Sequence, residues 1–197
     1  MTTKKFCYLL PVLFAAPSFS ALASPSPEML TVQAREHASA LGMQLKSTLQ
    51  SAIRQGGPVE GIHVCHEAAA PIAQSLSEDG WQVGRTSLKV RNPENAPDDW
   101  EREQLNAFAK SLSASVPPGP LEATQWNEDT QTFRYLKAIK TGGVCTTCHG
   151  VNIAPPIKAA IGEHYPDDAA TGFKKGDLRG AFTLTWRPVE EDAGDSE

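Results

Sequence analysis

Cysteine, methionine and tyrosine are scarce here, at four, three and three among 197 residues. Four cysteines at this length exclude a disulfide scaffold. Positive charge is also short. Eighteen Lys and Arg stand against 23 Asp and Glu, for a formal charge of −5, which argues against nucleic acid and anionic membrane surfaces as partners. Beyond residue 19 no apolar run is long enough to cross a bilayer. There is no Ser/His/Asp order, phosphate-binding glycine loop or HExxH helix, so nothing raises an enzyme hypothesis and none is expected. Internal repeats and low-complexity blocks are missing too.

The one long apolar stretch, residues 6–19, follows Lys4 and Lys5 and leads to Ala21-Leu22-Ala23. A positive start, a short apolar centre and a small-x-small end make a secretory signal peptide, with cleavage expected after Ala23. Pro11 and Pro17 interrupt the stretch and no second span follows, so no membrane anchor is expected to remain. Cys7 should leave with the peptide. Cleavage also removes Lys4 and Lys5, taking the formal charge from −5 to −7 and leaving 174 of the 197 residues. That length suits one domain, read here as residues 24–189. Residues 190–197 form an acidic tail expected to be disordered. Export points to the periplasm.

Two of the remaining cysteines belong to Cys145-Thr146-Thr147-Cys148-His149, the attachment signature of c-type haem. Two thiols add across the porphyrin vinyl groups, two intervening residues set their separation, and the histidine is held against the iron. A thioredoxin-like pair would want a strand before it and a helix start after it, and has no need of His149. Gly142, Gly143 and Gly150 flank the motif, which is expected in a flexible loop. One covalent haem c is the implied cofactor. Cys65 is left alone, as a reactive thiol, an intermolecular bridge or a ligand.

Along the chain, Ala34, Ala38, Leu41, Leu45, Leu49 and Ala52 recur at three- and four-residue steps, predicting a long amphipathic helix over residues 28–55. Gly56-Gly57-Pro58 stops it. Cys65, Ala69, Ile72 and Leu76 form a second helical stripe. Pro71 there demands either a kink or a helix starting near it, with Cys65 just before. Strands are predicted over residues 81–90, 121–126, 132–139 and 181–186. A turn at Asn127-Glu128-Asp129-Thr130 joins the middle two. Asp98 and Asp99 open a helix carrying Trp100, Leu105 and Phe108, ended by Pro117-Pro118-Gly119-Pro120. A short helix covers residues 155–163, and residues 165–177 form a loop. Helices on one small antiparallel sheet make an α+β domain rather than an all-helical cytochrome.

Four stretches carry a resemblance. They are Val64-Cys65 with Ala70-Pro71-Ile72-Ala73; Val83-Gly84-Arg85-Thr86-Ser87 with Arg91-Asn92-Pro93-Glu94-Asn95; residues 145–150; and Tyr165-Pro166-Asp167-Asp168-Ala169-Ala170-Thr171-Gly172-Phe173 with Gly176-Asp177-Leu178-Arg179-Gly180-Ala181. In order and spacing the chain resembles the DUF3365, or Tll0287-like, c-type haem family. The resemblance implies a PAS-like fold, a sheet of about five antiparallel strands flanked by helices. It also implies that Cys65 coordinates the iron opposite His149.

Other residues compete for that sixth position. His63 and His66 flank Cys65 and would share a helix face, with Cys65 turned about 100° away from His66. Their plainer reading is as exposed polar residues beside Glu60 and Glu67. His37 and His164 are more distant candidates, and Met29 and Met43 are read as packing residues. A buried structural thiol remains open for Cys65. Arg85 and Arg91 are candidate partners for the haem propionates, because guanidinium forks suit carboxylates. Arg91 has the plainer option of pairing with Glu94 or the acidic loop. Asn92 and Asn95 read as turn caps. Tyr165 and Phe173 either cover the ring or fill the core. Asp167, Asp168 and Asp177 lack the ligand spacing of a calcium loop.

Three functions share this cofactor: a redox or gas sensor, an electron carrier, and a haem enzyme acting on peroxide or a nitrogen oxide. Sensing is expected, with electron transfer the main alternative. A thiolate ligand favours the ferric state, so reduction or a diatomic gas displacing Cys65 would make a switch. No kinase, methyl-accepting or DNA-binding segment is visible. The expected partner is therefore a separate signalling protein or a redox protein, and the chain itself a monomer or homodimer.

Overall fold

Ser26 opens the first element: its hydroxyl accepts the Met29 N–H at 3.3 Å, and Pro27 fills the first helical position. The computed structural model describes residues 25–114 and 121–189. The expected signal peptide with Cys7, the Pro117-Pro118-Gly119-Pro120 helix stop and the acidic tail lie outside the described residues.

Helix α1 runs Pro27–Gln74 in two segments that meet at Gly57, where φ is 76° and ψ is −173°. Only glycine occupies that region without strain. Pro58 then restarts the helix with its φ already set. The expected stop is thus a bend in one element. Pro71 lies inside the second segment, so Cys65 sits mid-helix rather than before a helix start.

Four strands follow in chain order with three more helices: β1 Trp81–Thr86, α2 Asp99–Ser113, β2 Glu122–Asn127, β3 Thr132–Lys140, α3 Thr146–His149, α4 Pro155–His164 and β4 Leu178–Trp186. The sheet order is β1-β4-β3-β2, antiparallel throughout. The described residues therefore hold the four strands read from the residue pattern, one fewer than the resemblance implies. β1 ends at Thr86 instead of continuing to Val90. There the Ser87 hydroxyl takes over, accepting the Lys89 N–H at 3.2 Å and donating to the Arg179 carbonyl at 2.8 Å.

Strand alternation gives the sheet two buried faces. Trp81, Val83, Phe133, Tyr135, Leu184 and Trp186 face α1, which presents Leu30, Ala34, Ala38 and Leu41. Small residues let the helix come close. A Cβ on Gly42 would stand 2.9 Å from the Phe182 ring. Met29 and Met43 are 54% and 64% exposed, so neither packs as expected. The opposite face packs Leu136 and Ala181 on Leu105 and Phe108 of α2. Asp98 and Glu101 close a capping box on α2, and Glu101 also accepts the Thr183 hydroxyl at 2.6 Å.

A third cluster is smaller. Ile62, from the segment after Gly57, packs on Ile157, Ala160 and Ile161 of α4, with Cys148 and Tyr165 at its margin. The bend at Gly57 thereby brings the Cys65 segment against the far end of the chain.

Candidate functional site

The motif is ordered, not a flexible loop. Cys145 leads into the single turn α3, and the His149 N–H donates to the Cys145 carbonyl at 2.9 Å. A turn this short leaves its last carbonyls without helical partners. Here the carbonyls of Cys148, His149 and the following Gly150 find other donors. Arg91 Nη2 donates to the Cys148 carbonyl at 2.7 Å, the Phe173 N–H to that of His149 at 2.9 Å, and the Gly172 N–H to that of Gly150 at 2.9 Å.

His149 Nδ1 lies 2.7 Å from the Ala170 carbonyl. A carbonyl only accepts, so Nδ1 carries the proton and Nε2 is left with its lone pair. Burial, followed by the positive charge of Arg179 and Arg91, pulls the ring's pKa from 6.5 down to about 3. The ring is neutral at any ordinary pH, as a metal ligand must be.

One cavity of about 240 Å³ gathers the candidates: Cys145, Cys148 and His149 from the motif turn, Cys65 from α1, and Arg85, Arg91 and Tyr165. Its remaining lining is largely aliphatic, with Leu49, Ile53, Ile62 and Ile139. Cys65, Cys145 and Cys148 are all free thiols. Burial raises the Cys65 thiol's pKa, and nearby Arg85 and Arg91 oppose the rise. Burial also raises Cys148, with Arg91 pulling the other way.

Three guanidinium groups line the cavity, and they differ in what they already hold. Arg91 forks around Asp168, Nε to Oδ1 and Nη2 to Oδ2, each at 3.1 Å. Its plainer option, the acidic loop, is thus the one the structure contains. Arg179 reaches Ser87 Oγ at 3.3 Å and lies 5.3 Å over the Phe173 ring. Burial, then Arg91 and Arg85, pull its pKa down to about 10, which leaves it charged at neutral pH. Arg85, on the α1-facing side of β1, is half-buried; its side chain has no hydrogen bond or ion pair among the described residues, and burial lowers its pKa. A half-buried guanidinium with no protein acceptor is placed to take one from a bound carboxylate. Haem fits this set: two thiols on one turn, an imidazole with its Nε2 free, a thiol from another element, an aliphatic lining, and a guanidinium awaiting a carboxylate.

Of the other candidates, Asn92 and Asn95 also line this cavity, and the histidines lie outside it. His63 and His66 do not line this cavity. His63 Nδ1 is 2.7 Å from His164 Nε2, and His66 stacks against His164 and Tyr165. His37 lies against Trp81. Phe173 stands edge-on to His149, with ring centroids 6.4 Å apart. Asn92 caps the 3-10 turn Pro93–Asn95, its Oδ1 accepting the Glu94 N–H at 3.0 Å. Asp168 is committed to Arg91, and Asp177 accepts the Lys174 N–H.

Sequence reasoning missed Arg179 and the Ala170 carbonyl. Arg179 lies in the Gly176–Ala181 stretch, but nothing in its spacing points at the Cys145–His149 turn. A backbone acceptor 21 residues from the histidine leaves no mark in the sequence.

A family model described as Tll0287-like: Tll0287 matches residues 27–186. Among solved structures, the crystal structure of the cyanobacterial heme-protein Tll0287 is similar, with a TM-score of 0.57 and 29% identity. The match covers 86% of this chain and 99% of that one. A search of curated proteins returned no match.

Proposed function

Since the chain belongs to the Tll0287-like family, we propose that it is an exported protein carrying one covalent haem c and serving as a redox or gas sensor. One observation carries the reading: Cys145, Cys148, His149 and Cys65 line a single aliphatic cavity beside the unpaired Arg85. The matched structure is that of a heme-protein, which supports the cofactor class.

On this reading the Cys145 and Cys148 thiols each add S–H across a vinyl C=C, a step with no net redox change. His149 Nε2 and the Cys65 thiolate would hold the iron, and Arg85 would pair with a propionate. When bound, the group supplies a one-electron ferric/ferrous couple. With His149 and Cys65 both holding the iron, no open position would be left for a substrate. Release of Cys65 would be the signal. The thiolate takes up a proton, and residues 58–74 are freed to move about Gly57. A separate signalling or redox protein reads that movement. The periplasmic assignment rests on residues 1–23, and N-terminal sequencing of the exported protein tests it. Electron transfer is the second reading. It is favoured by Val144 and Val151, exposed apolar residues on either side of the motif turn.

The test is made on protein from a host able to mature c-type haem. The pigment should survive acid and organic extraction. The ferric electron paramagnetic resonance spectrum should show a compact low-spin g-spread that Cys65→Ser abolishes. Identical spectra would overturn the ligand assignment. A six-coordinate ferrous state that refuses CO would overturn the switch.

A further inference from the structure

His149 is held by more than its neighbouring carbonyl. Ala170, whose carbonyl accepts from Nδ1, is itself fixed by its own N–H, which donates to Asp168 Oδ1 at 2.9 Å. Asp168 is gripped through both oxygens by Arg91. Arg91 Nη2 returns to the motif by donating to the Cys148 carbonyl, one residue before His149. The hydrogen bonds therefore close a ring through three separate parts of the chain: the loop after β1, the acidic loop after α4, and the motif turn. The ion pair at its centre is nearly enclosed, with the Arg91 and Asp168 side chains 11% and 7% exposed. The Ala169 N–H adds a tie to the Val90 carbonyl, beside Arg91.

We propose that Arg91 and Asp168 are positioning residues that lock the His149 ring in one tautomer and one orientation, with Nε2 turned into the cavity. A free imidazole in a cavity has two tautomers and a soft ring torsion. The Asp168–Ala170 turn presents one acceptor at one place, which selects the Nδ1–H form. The Arg91 fork fixes that turn relative to Cys148, so ring and acceptor cannot drift apart. Groups that fix a ligating histidine through its second nitrogen set both its direction and its basicity. The use of Nε2 toward iron rests on the haem reading above, but the locking of the ring does not.

The decisive variants are Arg91→Lys, which keeps charge but loses the fork, and Asp168→Asn, which keeps an acceptor for Ala170 but loses the ion pair. Leu105→Ala is the control, because it removes packing on the far face of the sheet. In the haem-loaded protein, both site variants should retain extraction-resistant pigment. Each should split the single low-spin g-set into two and shift the reduction potential, while Leu105→Ala changes neither. In haem-free protein, the ring ¹⁵N shifts of His149 should report one Nδ1–H tautomer in the parent and a mixture in both variants. If Arg91→Lys does not accumulate, Asp168→Asn decides alone. Unchanged g-values with an unchanged tautomer would overturn the proposal, and so would an equal response from Leu105→Ala. A parent without covalent pigment but with a variant-sensitive tautomer would sink the haem reading and leave the clamp standing.

Discussion

Gly57→Ala isolates the bend that delivers Cys65. A Cβ built at Gly57 meets nothing within 4 Å, so the substitution adds no clash. What it adds is backbone strain, because φ of 76° with ψ of −173° is nearly closed to any residue with a Cβ. Such strain costs about 1–3 kcal/mol. Gly162, inside α4, is the matching control. It too has open space around a built Cβ, but its backbone is helical. Alanine there should stabilise by about 0.5–1 kcal/mol. For a domain of this size, about 2–4 °C of Tm accompanies each kcal/mol. Gly57→Ala should therefore lower Tm by about 2–12 °C, and Gly162→Ala raise it by about 1–4 °C. Thermal melts of the haem-free protein followed by circular dichroism measure both. The haem-loaded Gly57→Ala protein should also show a larger share without Cys65 ligation. A Gly57→Ala protein as stable as the parent would refute the reasoning, because nothing but φ and ψ separates the two glycines.

Arg85→Met should act in opposite directions on the two forms. It should raise the urea midpoint of the haem-free protein by removing a half-buried cation without a protein acceptor, and lower that of the loaded protein by removing the propionate partner; a same-sign change in both would refute the pairing. In haem-free protein His149 titrates near 3 when folded and near 6.5 when unfolded, so the unfolded chain binds the extra proton first. The stability His149 contributes is complete above pH 6.5 and is lost as pH falls toward 3, by up to about 1.4 kcal/mol per pH unit. Urea titrations of the parent and His149→Gln at pH 7 and 5 should show the smaller loss in the variant; equal losses would contradict the burial argument. Leu41→Ala, at a site 1% exposed, should cost about 2–5 kcal/mol of folding stability in denaturant titrations without moving the g-values.

Legibility differed by element for physical reasons. The stripe Ala34, Ala38, Leu41 was readable because helical periodicity is local, and it is the stripe that packs on the sheet. The four strands were readable from alternation and β-branched content, although the end of β1 was not. Ser87 ends that strand by bonding to Arg179, 92 residues away. The motif's residues were legible, but its order was not. Flanking glycines suggest looseness, whereas Arg91, Gly172 and Phe173 supply the donors that hold the turn. Arg91 looked like a propionate partner as much as Arg85 did. Only the contact with Asp168 separates the committed guanidinium from the free one.

From the chain alone came the Cys145–His149 motif, the lone third thiol, the amphipathic first helix and the α+β class. Each is written in residue type and short-range spacing, where covalent geometry and hydrophobic period act. Tertiary structure decided what faces what: that a bend at one glycine carries Cys65 to the wall of the motif's cavity, that the Arg85 side chain is left without a partner among the described residues, and that a distant carbonyl selects the nitrogen His149 offers. Those outcomes depend on side chains and backbone groups brought together across tens of residues, and such meetings are set by packing and hydrogen-bond satisfaction over the whole domain.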